Sequence, residues 1–294
     1  MLIDFVGLGS MGLGMAVSLV KAGHTVRGFD PAATRVEMLI AQGGSAFGDA
    51  ANEADAVVSA VLNADQTRAV LFGEQGVAKR LRPGGVIISC ATVSPAFAAE
   101  MEAQAAEIGL LYLDSPISGG AIKAAAGQLS IMAAGTVEAF GVAGPALEAM
   151  AETVHRLGEH AGPGSAMKAV NQLLAGVHIA AMGEALAFGA SQGLTPAQVV
   201  QVVSVSAGTS WMFENRAPHV VDGDYTPRSK VDIWLKDLGI VTDIAASSAL
   251  PVPISSNALA QFRAASEAGL GDEDDSAIAK YFARAGGVIL PGDS

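Results

Sequence analysis

The sequence predicts an α/β protein with two domains. A Rossmann-type N-terminal domain built on a parallel sheet precedes an all-α C-terminal domain, and a long interdomain helix joins them. Strand-like and helical segments alternate over the first half of the chain, as in parallel sheets with right-handed crossovers. The glycine turn GLGSMG at 7–12 lies between the first strand and the first helix. After about residue 160 only helical segments follow, which predicts the second domain.

The predicted N-terminal domain, residues 1–162, begins with two strands around one helix. The strands are LIDFVG at 2–7 and TVRGFD at 25–30, and the helix between them ends before Gly23, a residue that commonly stops helices. Later segments continue the alternation. They are DAVVSAV at 55–61, GGVIISCA at 84–91, the helical PAFAAEMEAQAAEIG at 95–109 and the strand-like LLYLDSPI at 110–117.

The predicted C-terminal domain, residues 163–294, contains helices only. Its first helix, at 165–192, has no proline and is long enough for about seven turns. The glycine-rich GEHAGPGS at 158–165 marks the boundary between the domains. Further helices are expected at TPAQVVQVVS (195–204), around WMFENRA (211–217), at VDIWLKDLGIVTDIAAS (231–247) and at NALAQFRAASEAG (257–269).

Composition argues against several classes of function. Hydrophobic residues make up 51% of the 294, but glycines and charged residues interrupt every apolar run before the roughly 20 residues that a membrane span needs. We therefore expect no membrane segment, and no secretory leader. The single cysteine, Cys90, allows no intrachain disulfide and no Cys-rich zinc site, which favours a cytoplasmic protein without a metal. A net charge of −12 argues against nucleic acid as a partner.

The glycine turn has the setting of a dinucleotide-binding loop. In such a loop the first glycine, here Gly7, makes the tight turn, Gly9 lets the pyrophosphate approach the backbone, and Gly12 lets helix and strand pack closely. The free N–H groups at the helix start then face the phosphates. The cofactor is therefore expected to contact residues 7–12, namely Gly7, Leu8, Gly9, Ser10, Met11 and Gly12.

An acidic residue at the end of the second strand bears on the choice of cofactor. Asp30 follows Gly12 by 18 positions and can accept hydrogen bonds from the adenosine ribose hydroxyls. A 2′-phosphate would be repelled by this carboxylate, so NAD is favoured over NADP. Arg27 and Arg35 flank the position and oppose this preference to some extent.

Several dehydrogenase chemistries are excluded by the residues. None of the three tyrosines has a lysine four residues later, one cysteine cannot build an alcohol-dehydrogenase zinc site, and no HExxH or GxSxG motif occurs. The candidate that remains is Lys168, on the long helix. A lysine is a poor base at its reference pKa near 10.4, because only about one in 10³ would be neutral at pH 7. Partial burial and nearby cations would lower that pKa.

Five motifs together resemble one family. They are GLGSMG at 7–12, CATVSP at 90–95, DSPISGG at 114–120, GPGSAMKAVNQ at 162–172 and LKDLG at 235–239. With them the chain resembles, over essentially its whole length, the β-hydroxyacid dehydrogenases, which include 3-hydroxyisobutyrate dehydrogenase and tartronate semialdehyde reductase. The resemblance implies NAD-dependent hydride transfer on a small hydroxy acid.

The resemblance also implies roles for residues at the matching positions. Lys168 would transfer the proton as general acid/base, with Asn171 supporting it. The family often has two asparagines where this chain has Asn171 and Gln172, so which amide orients the substrate stays open. Ser118, Gly119 and Gly120 would hold the substrate carboxylate, in keeping with the anion nest that a hydroxyl and two glycines can form. The remaining cofactor contacts would come from Leu62, Asn63, Thr92 and Lys236.

Longer segments resemble the L-threonate dehydrogenase branch of this family, among them GGAIKAAAGQLSIMAAG at 119–135 and DEDDSAIAKYF at 272–282. Lys123 either binds a further oxygen of a polyol acid or is a surface lysine. The alternative substrates are 3-hydroxyisobutyrate, glycerate and tartronate semialdehyde, and outside the enzymes the alternative is a catalytically silent dinucleotide-binding module. The apolar helical half predicts a homodimer or homotetramer.

Overall fold

The computed structural model describes residues 1–48 and 53–293. These residues form two compact units, Met1–Lys168 and Ala169–Ser294. The division therefore falls inside the long helix, six residues after the end of the predicted first domain.

The first unit is built on a six-stranded sheet in which every pair of neighbouring strands is parallel. The strand order is β3-β2-β1-β4-β5-β6. This order confirms the predicted Rossmann-type domain. The strands are β1 (Leu2–Val6), β2 (Thr25–Phe29), β3 (Ser45–Ala46), β4 (Ala54–Ser59), β5 (Leu81–Ser89) and β6 (Leu111–Asp114).

Helices cover both faces of this sheet, so its strands are apolar almost throughout. Successive residues of one strand point to opposite faces. Ile3 and Phe5 of β1 belong to one apolar core, whereas Val6 belongs to the other. The four helices that alternate with these strands are α1 (Gly12–Lys21), α2 (Ala33–Ile40), α3 (Ala64–Phe72) and α4 (Pro95–Glu107).

A second, three-stranded sheet follows, which the sequence did not predict. The segment 110–117, expected to be one strand, divides into β6 and a short β7 (Ile117–Ser118), because Pro116 between them has no N–H to continue a ladder. β7 pairs antiparallel with β8 (Leu129–Ala133), and β8 pairs parallel with β9 (Ala151–Arg156). The helices of this part are α5 (Gly120–Ala126) and α6 (Val137–Met150).

The second unit consists of helices packed around Trp234 and Phe262, whose rings stack with centroids 5.6 Å apart. Its helices confirm the predicted all-α half. They are the greater part of α7 (Pro163–Ser191), then α8 (Pro196–Val203), α9 (Trp211–Asp222), α10 (Ile233–Ser247), α11 (Pro253–Ala265) and α12 (Ile278–Ala285).

The long helix α7 is more apolar than the sequence argument allowed. By length and composition it could cross a membrane, so the expectation that every apolar run is too short is wrong for this helix. Half of its most apolar window is buried inside the protein, and core helices of soluble proteins meet the same criterion. The length and apolarity of α7 are therefore weak evidence for a membrane span.

Candidate active site

The carboxyl ends of the parallel strands gather most of the predicted cofactor residues. Gly7 follows β1, Asp30 follows β2, Asn63 lies in the loop after β4, and Thr92 lies in the loop after β5. The strand order reverses between β1 and β4, and in open sheets of this type ligands bind at such a switch point. The structure thus brings these four positions to one edge of the first unit.

Each of the three glycines of the turn is suited to its position for a different structural reason. Gly7 has a φ of +90°, and a Cβ there would lie 2.6 Å from the carbonyl oxygen of Ala60. A Cβ on Gly12 would lie 1.8 Å from the carbonyl oxygen of Gly7. A Cβ on Gly9, in contrast, would meet no atom of the described residues within 4 Å. The space in front of Gly9 is open, and a pyrophosphate approaching the backbone would fit there.

The start of α1 has no side-chain cap, a property that it shares with α2, α5, α10, α11 and α12. Met11 occupies its N-cap position and makes no side-chain capping hydrogen bond. Helices α3, α4, α6, α8 and α9 are each capped by a side chain; the caps are Asn63, Ser94, Thr136, Thr195 and Ser210. Uncapped N–H groups at a helix start carry partial positive charge and suit a phosphate.

The Asp30 carboxylate is held by backbone amides. Its Oδ2 accepts from the amide of Leu8 at 2.8 Å, and its Oδ1 accepts from the amide of Ala32 at 2.9 Å. Each oxygen keeps capacity for a further hydrogen bond. Arg27 is buried, and its Nε donates to Asp4 Oδ1 at 2.6 Å. Of the two arginines that flank Asp30, Arg27 therefore has its side chain inside the protein, where it pairs with Asp4.

The loops after β4 and β5 hold the other predicted cofactor residues of the first unit. Asn63 caps α3 by accepting from the amide of Gln66 at 2.9 Å, and Leu62 beside it is 52% exposed. Thr92 is half-buried between β5 and α4. Its neighbour Cys90 is buried, and burial raises the pKa of this thiol to about 12, so Cys90 is no nucleophile at neutral pH.

The predicted carboxylate loop links β7 to α5. Gly119 and Gly120 both have positive φ, +135° and +77°, which turns the chain directly after Ser118. A Cβ on Gly120 would meet open space. Lys123, one turn into α5, is 47% exposed along its side chain, and its Nζ lies 3.4 Å from Glu152 Oε2.

Lys168, which is also part of the first unit, lies next to the predicted carboxylate loop. Its side chain is buried, only 8% of the residue being exposed, and Nζ donates to the carbonyl oxygen of Ile117 at 2.8 Å. Ile117 directly precedes Ser118. The carbonyl that accepts from the lysine therefore belongs to the segment that leads into the carboxylate loop.

Asp114 was missed as a site residue by the sequence reasoning. It ends β6, is 1% exposed, and accepts three hydrogen bonds from the start of α7. Its Oδ2 accepts from the amides of Gly162 at 3.0 Å and Ser165 at 2.8 Å, and its Oδ1 accepts from Ser165 Oγ at 2.6 Å. Burial raises the pKa of Asp114, although these hydrogen bonds act to lower it. The feature of the sequence that could have indicated Asp114 is a carboxylate at the end of an apolar strand.

The predicted residues of the second unit form a separate polar chain. Asn171 Nδ2 donates to Gln172 Oε1 at 3.0 Å, and Gln172 Nε2 donates to Asp237 Oδ2 at 2.5 Å. Lys236 Nζ lies 2.6 Å from Asp237 Oδ1. Asp237 is 4% exposed and had no predicted role, although it lies inside the LKDLG motif. It joins Lys236 to the two amides.

The fold and the site define a class of protein. A six-stranded parallel sheet of this order, with an open glycine turn at its switch point and a carboxylate after β2, is the architecture of dinucleotide-binding domains, such as those of nicotinamide-dependent dehydrogenases.

Comparison with known proteins narrows the class. Residues 2–158 match the model for the NAD binding domain of 6-phosphogluconate dehydrogenase, and residues 162–282 match the model for NAD-binding of NADP-dependent 3-hydroxyisobutyrate dehydrogenase. The chain belongs to the 3-hydroxyisobutyrate dehydrogenase-like family of hydroxyacid dehydrogenases. It is therefore an oxidoreductase that uses a nicotinamide cofactor.

Individual relatives cover the whole chain. An L-threonate dehydrogenase of Cupriavidus necator is 47% identical over 99% of this chain and 98% of its own length. An NAD-dependent L-serine dehydrogenase of Pseudomonas aeruginosa is 34% identical over 95% and 97%. A solved structure described as 3-hydroxyisobutyrate dehydrogenase from Salmonella typhimurium has a TM-score of 0.90 and 46% identity, covering 96% of this chain and 99% of that one. These matches confirm the family inferred from the five motifs.

Proposed function

We propose that this protein oxidises L-threonate with NAD, with Lys168 as the general base. Five relatives that are named L-threonate dehydrogenases are 47–49% identical to the chain, whereas relatives named for 2-(hydroxymethyl)glutarate, L-serine and 3-hydroxyisobutyrate are 33–34% identical. The observation that carries the proposed mechanism is the contact of the buried Lys168 amine with the segment leading into the carboxylate loop.

In the proposed mechanism the loop after β7 binds the acid. Ser118 offers a hydroxyl, and Gly119 and Gly120, which have no side chains of their own, offer backbone N–H groups. Lys168 in its neutral form then accepts the proton of the substrate hydroxyl. The oxidised nicotinamide, when bound, supplies the acceptor for the hydride. The residues that would hold this cofactor are those at the sheet edge: 7–12, Asp30, Leu62, Asn63 and Thr92.

The preference for NAD is part of the proposal. Asp30 is fixed by two amides and keeps acceptor capacity for ribose hydroxyls. Arg27 pairs with Asp4, which weakens the case for a 2′-phosphate at this position. Both observations support NAD rather than NADP.

The family resemblance also gives roles to residues of the second unit. We assign Lys236 to the nicotinamide end of the cofactor and Asn171 to the support of Lys168, as the family resemblance implies. Gln172 is buried against Asp237, which favours Asn171 over Gln172 as the amide that orients the substrate. The contact of Lys123 with Glu152 favours its reading as a surface lysine.

A panel of hydroxy acids tests the substrate and the cofactor together. Steady-state rates with L-threonate, 3-hydroxyisobutyrate, glycerate and L-serine are measured with NAD and with NADP. L-threonate with NAD is expected to give the highest kcat/KM. A higher value for another acid would contradict the substrate, and a higher value with NADP would contradict the cofactor.

Replacement of the lysine tests the mechanism. Lys168→Met is expected to lower kcat by about 10² to 10⁴, because general acid–base catalysis contributes that much. Lys21→Met, on the exposed end of α1, serves as the control and is expected to keep the full rate. Turnover of Lys168→Met within about tenfold of the unmodified enzyme would exclude the general base. If Lys168→Met loses turnover but still binds NADH, the unmodified protein cannot be a catalytically silent dinucleotide-binding module.

We also propose a cytoplasmic homodimer or homotetramer. Val170, Leu174 and Phe188 of α7 are 54%, 50% and 67% exposed, and apolar side chains on one helix are commonly covered by association. Sedimentation is expected to give a multiple of the 29.6 kDa chain mass. A boundary at the monomer mass would contradict this.

A further inference from the structure

The Asp114 carboxylate is fixed to the beginning of the helix that carries the lysine. Its three hydrogen bonds go to Gly162 and Ser165, which lie on either side of the first residue of α7. Asp114 is also held on its own strand, because its amide and carbonyl exchange hydrogen bonds with Ala134 at 3.0 and 2.9 Å. The helix start is thus tied to a fixed point of the two sheets.

The helix start has little room to move. A Cβ on Gly164 would lie 2.5 Å from the carbonyl oxygen of Met132, 2.6 Å from that of Asp114 and 3.0 Å from Asp114 Oδ2. The backbone of α7 therefore touches β6 and β8 directly. A shift of the first turn toward these strands is blocked, and a shift away from them would break the hydrogen bonds of Asp114.

The lysine follows this anchored turn by less than one helical turn. Ser165 and Lys168 are three residues apart, a rise of about 4.5 Å along the axis. Lys168 in turn donates to Ile117, which is three residues after Asp114 in the same segment. Residues 114–117 therefore contact α7 twice, through the Asp114 side chain at its start and through the Ile117 carbonyl at its lysine.

We propose that Asp114 is a positioning residue for the reaction: by binding the first turn of α7 it sets the place of the Lys168 amine next to the carboxylate loop. The inference rests on the proposed role of Lys168. Asp114 contacts neither substrate nor cofactor in this assignment and acts only through the helix.

The surroundings of Asp114 agree with such a role. Among the described residues no cation forms an ion pair with it; its charge is compensated by N–H groups and one hydroxyl at the positive end of a 29-residue helix. Burial of a carboxylate in this way disfavours its charged form. Carboxylates whose pKa is raised by burial are common at functional sites.

Three variants distinguish the effect of the hydrogen bonds of Asp114 from the effect of its charge. Asp114→Ala removes all three contacts and is expected to lower kcat by about 10² while the KM for NAD stays within about twofold, because a displacement of 1 Å can cost that much rate. Asp114→Asn can keep every contact: its carbonyl oxygen accepts from the two amides, and its NH2 donates to Ser165 Oγ. It is therefore expected to restore most of the lost rate. Ser165→Ala removes one contact and is expected to fall between the two.

The double variant Asp114→Ala with Lys168→Met tests whether Asp114 acts through the lysine. It is expected to be no slower than Lys168→Met alone, since effects through one group do not add. An additive loss, or an Asp114→Asn variant as slow as Asp114→Ala, would overturn the inference. If Asp114→Ala does not fold, as judged by NADH binding, Ser165→Ala with a full kcat would overturn it. A fast Lys168→Met variant would instead overturn the proposed function.

Discussion

The carboxylate of Asp114 and the carboxylates of the segment 272–275 are held by different kinds of partner. In the first unit, Asp114 accepts hydrogen bonds from N–H groups and a hydroxyl at the start of α7. In the second unit, each acidic residue of the segment 272–275 has a cationic or histidine partner. The pairs are Asp272–Lys230 at 2.6 Å, Glu273–Lys280 at 2.6 Å, Asp274–His219 at 2.9 Å and Asp275–Arg216 at 2.6 Å.

This difference in partners distinguishes carboxylates that stabilise the fold from a carboxylate that positions the proposed site. The segment 272–275 joins the start of the last helices to α9 and to the loop before α10, and its pairs lie within one compact unit. Loss of a partner of the buried Asp274 or Asp275 is expected to cost stability and leave the chemistry of the folded enzyme unchanged. Loss of a contact at Asp114 is expected to cost rate.

The largest effect on stability is expected at the Arg216–Asp275 pair. Asp275 is fully buried and also accepts from Trp234 Nε1 at 3.1 Å. Arg216→Met would leave this carboxylate without its cation, and the free energy of unfolding is expected to fall by about 3–5 kcal/mol. Urea denaturation followed by tryptophan fluorescence measures it. The double variant Arg216→Met with Asp275→Leu should recover most of the loss, and an equally unstable double variant would contradict the pairing argument.

A smaller effect, dependent on pH, is expected at Asp274. Burial acts to raise its pKa, but hydrogen bonds from His219, Ser276 and the amide of Arg228 outweigh burial and lower the pKa below its ordinary value. The stability from this carboxylate is therefore present above the unfolded pKa near 3.9 and is lost as the pH falls below it. Asp274→Asn is expected to cost about 1–3 kcal/mol at pH 7.

The difference between the thermal midpoints of the unmodified protein and Asp274→Asn should narrow as the pH falls from 7 to about 3, because part of the stabilisation by this carboxylate is lost below the unfolded pKa. A difference that stays constant over this range would show that the charge of Asp274 contributes nothing.

An effect on rate is expected at Gln172. Its amide joins Asn171 to Asp237, and Gln172→Leu would remove both hydrogen bonds. We expect kcat/KM to fall by about tenfold, which corresponds to one or two hydrogen bonds, and the thermal midpoint to fall as well, because the buried Asp237 loses a donor. Gln172→Asn, the residue common in the family, is the matched control. An unchanged kcat/KM in Gln172→Leu would remove this amide from the proposed site.

The smallest effect is expected at the exposed pair Arg68–Glu100. Two hydrogen bonds of 2.6 and 2.8 Å join these side chains, and Arg68 lowers the pKa of Glu100. Both side chains are more than 40% exposed, so water and salt screen the interaction. Glu100→Gln should leave the thermal midpoint unchanged at physiological salt. A clear decrease would mean that exposed pairs contribute to this fold as buried ones do.

Local patterns were sufficient to predict the main architecture. The glycine turn, the alternation of strands with helices and the long helix near 165–192 are features of adjacent residues, and each appears in the structure close to its predicted place. The motifs also indicated Lys168 and the loop at Ser118, because each motif is contiguous in the sequence.

Contacts between distant residues were not predictable in this way. Asp114 binds Ser165, which is 51 residues away, and Gln172 binds Asp237, which is 65 residues away. The local sequence pattern does not indicate which hydrogen-bond donor a buried carboxylate will contact. The second sheet was missed for a similar reason, since β7 has only two residues and pairs with a strand that begins eleven residues later.

The proposed transfer of the substrate proton to the Lys168 amine can be tested by replacing that amine with a soluble one. Lys168→Ala is assayed for NADH formation with L-threonate while methylamine is added. The rate without amine is expected to be lower by about 10² or more, and it is expected to rise with added amine in proportion to the unprotonated fraction of that amine. A Lys168→Ala variant that turns over near the normal rate without any amine would contradict the proposed proton transfer.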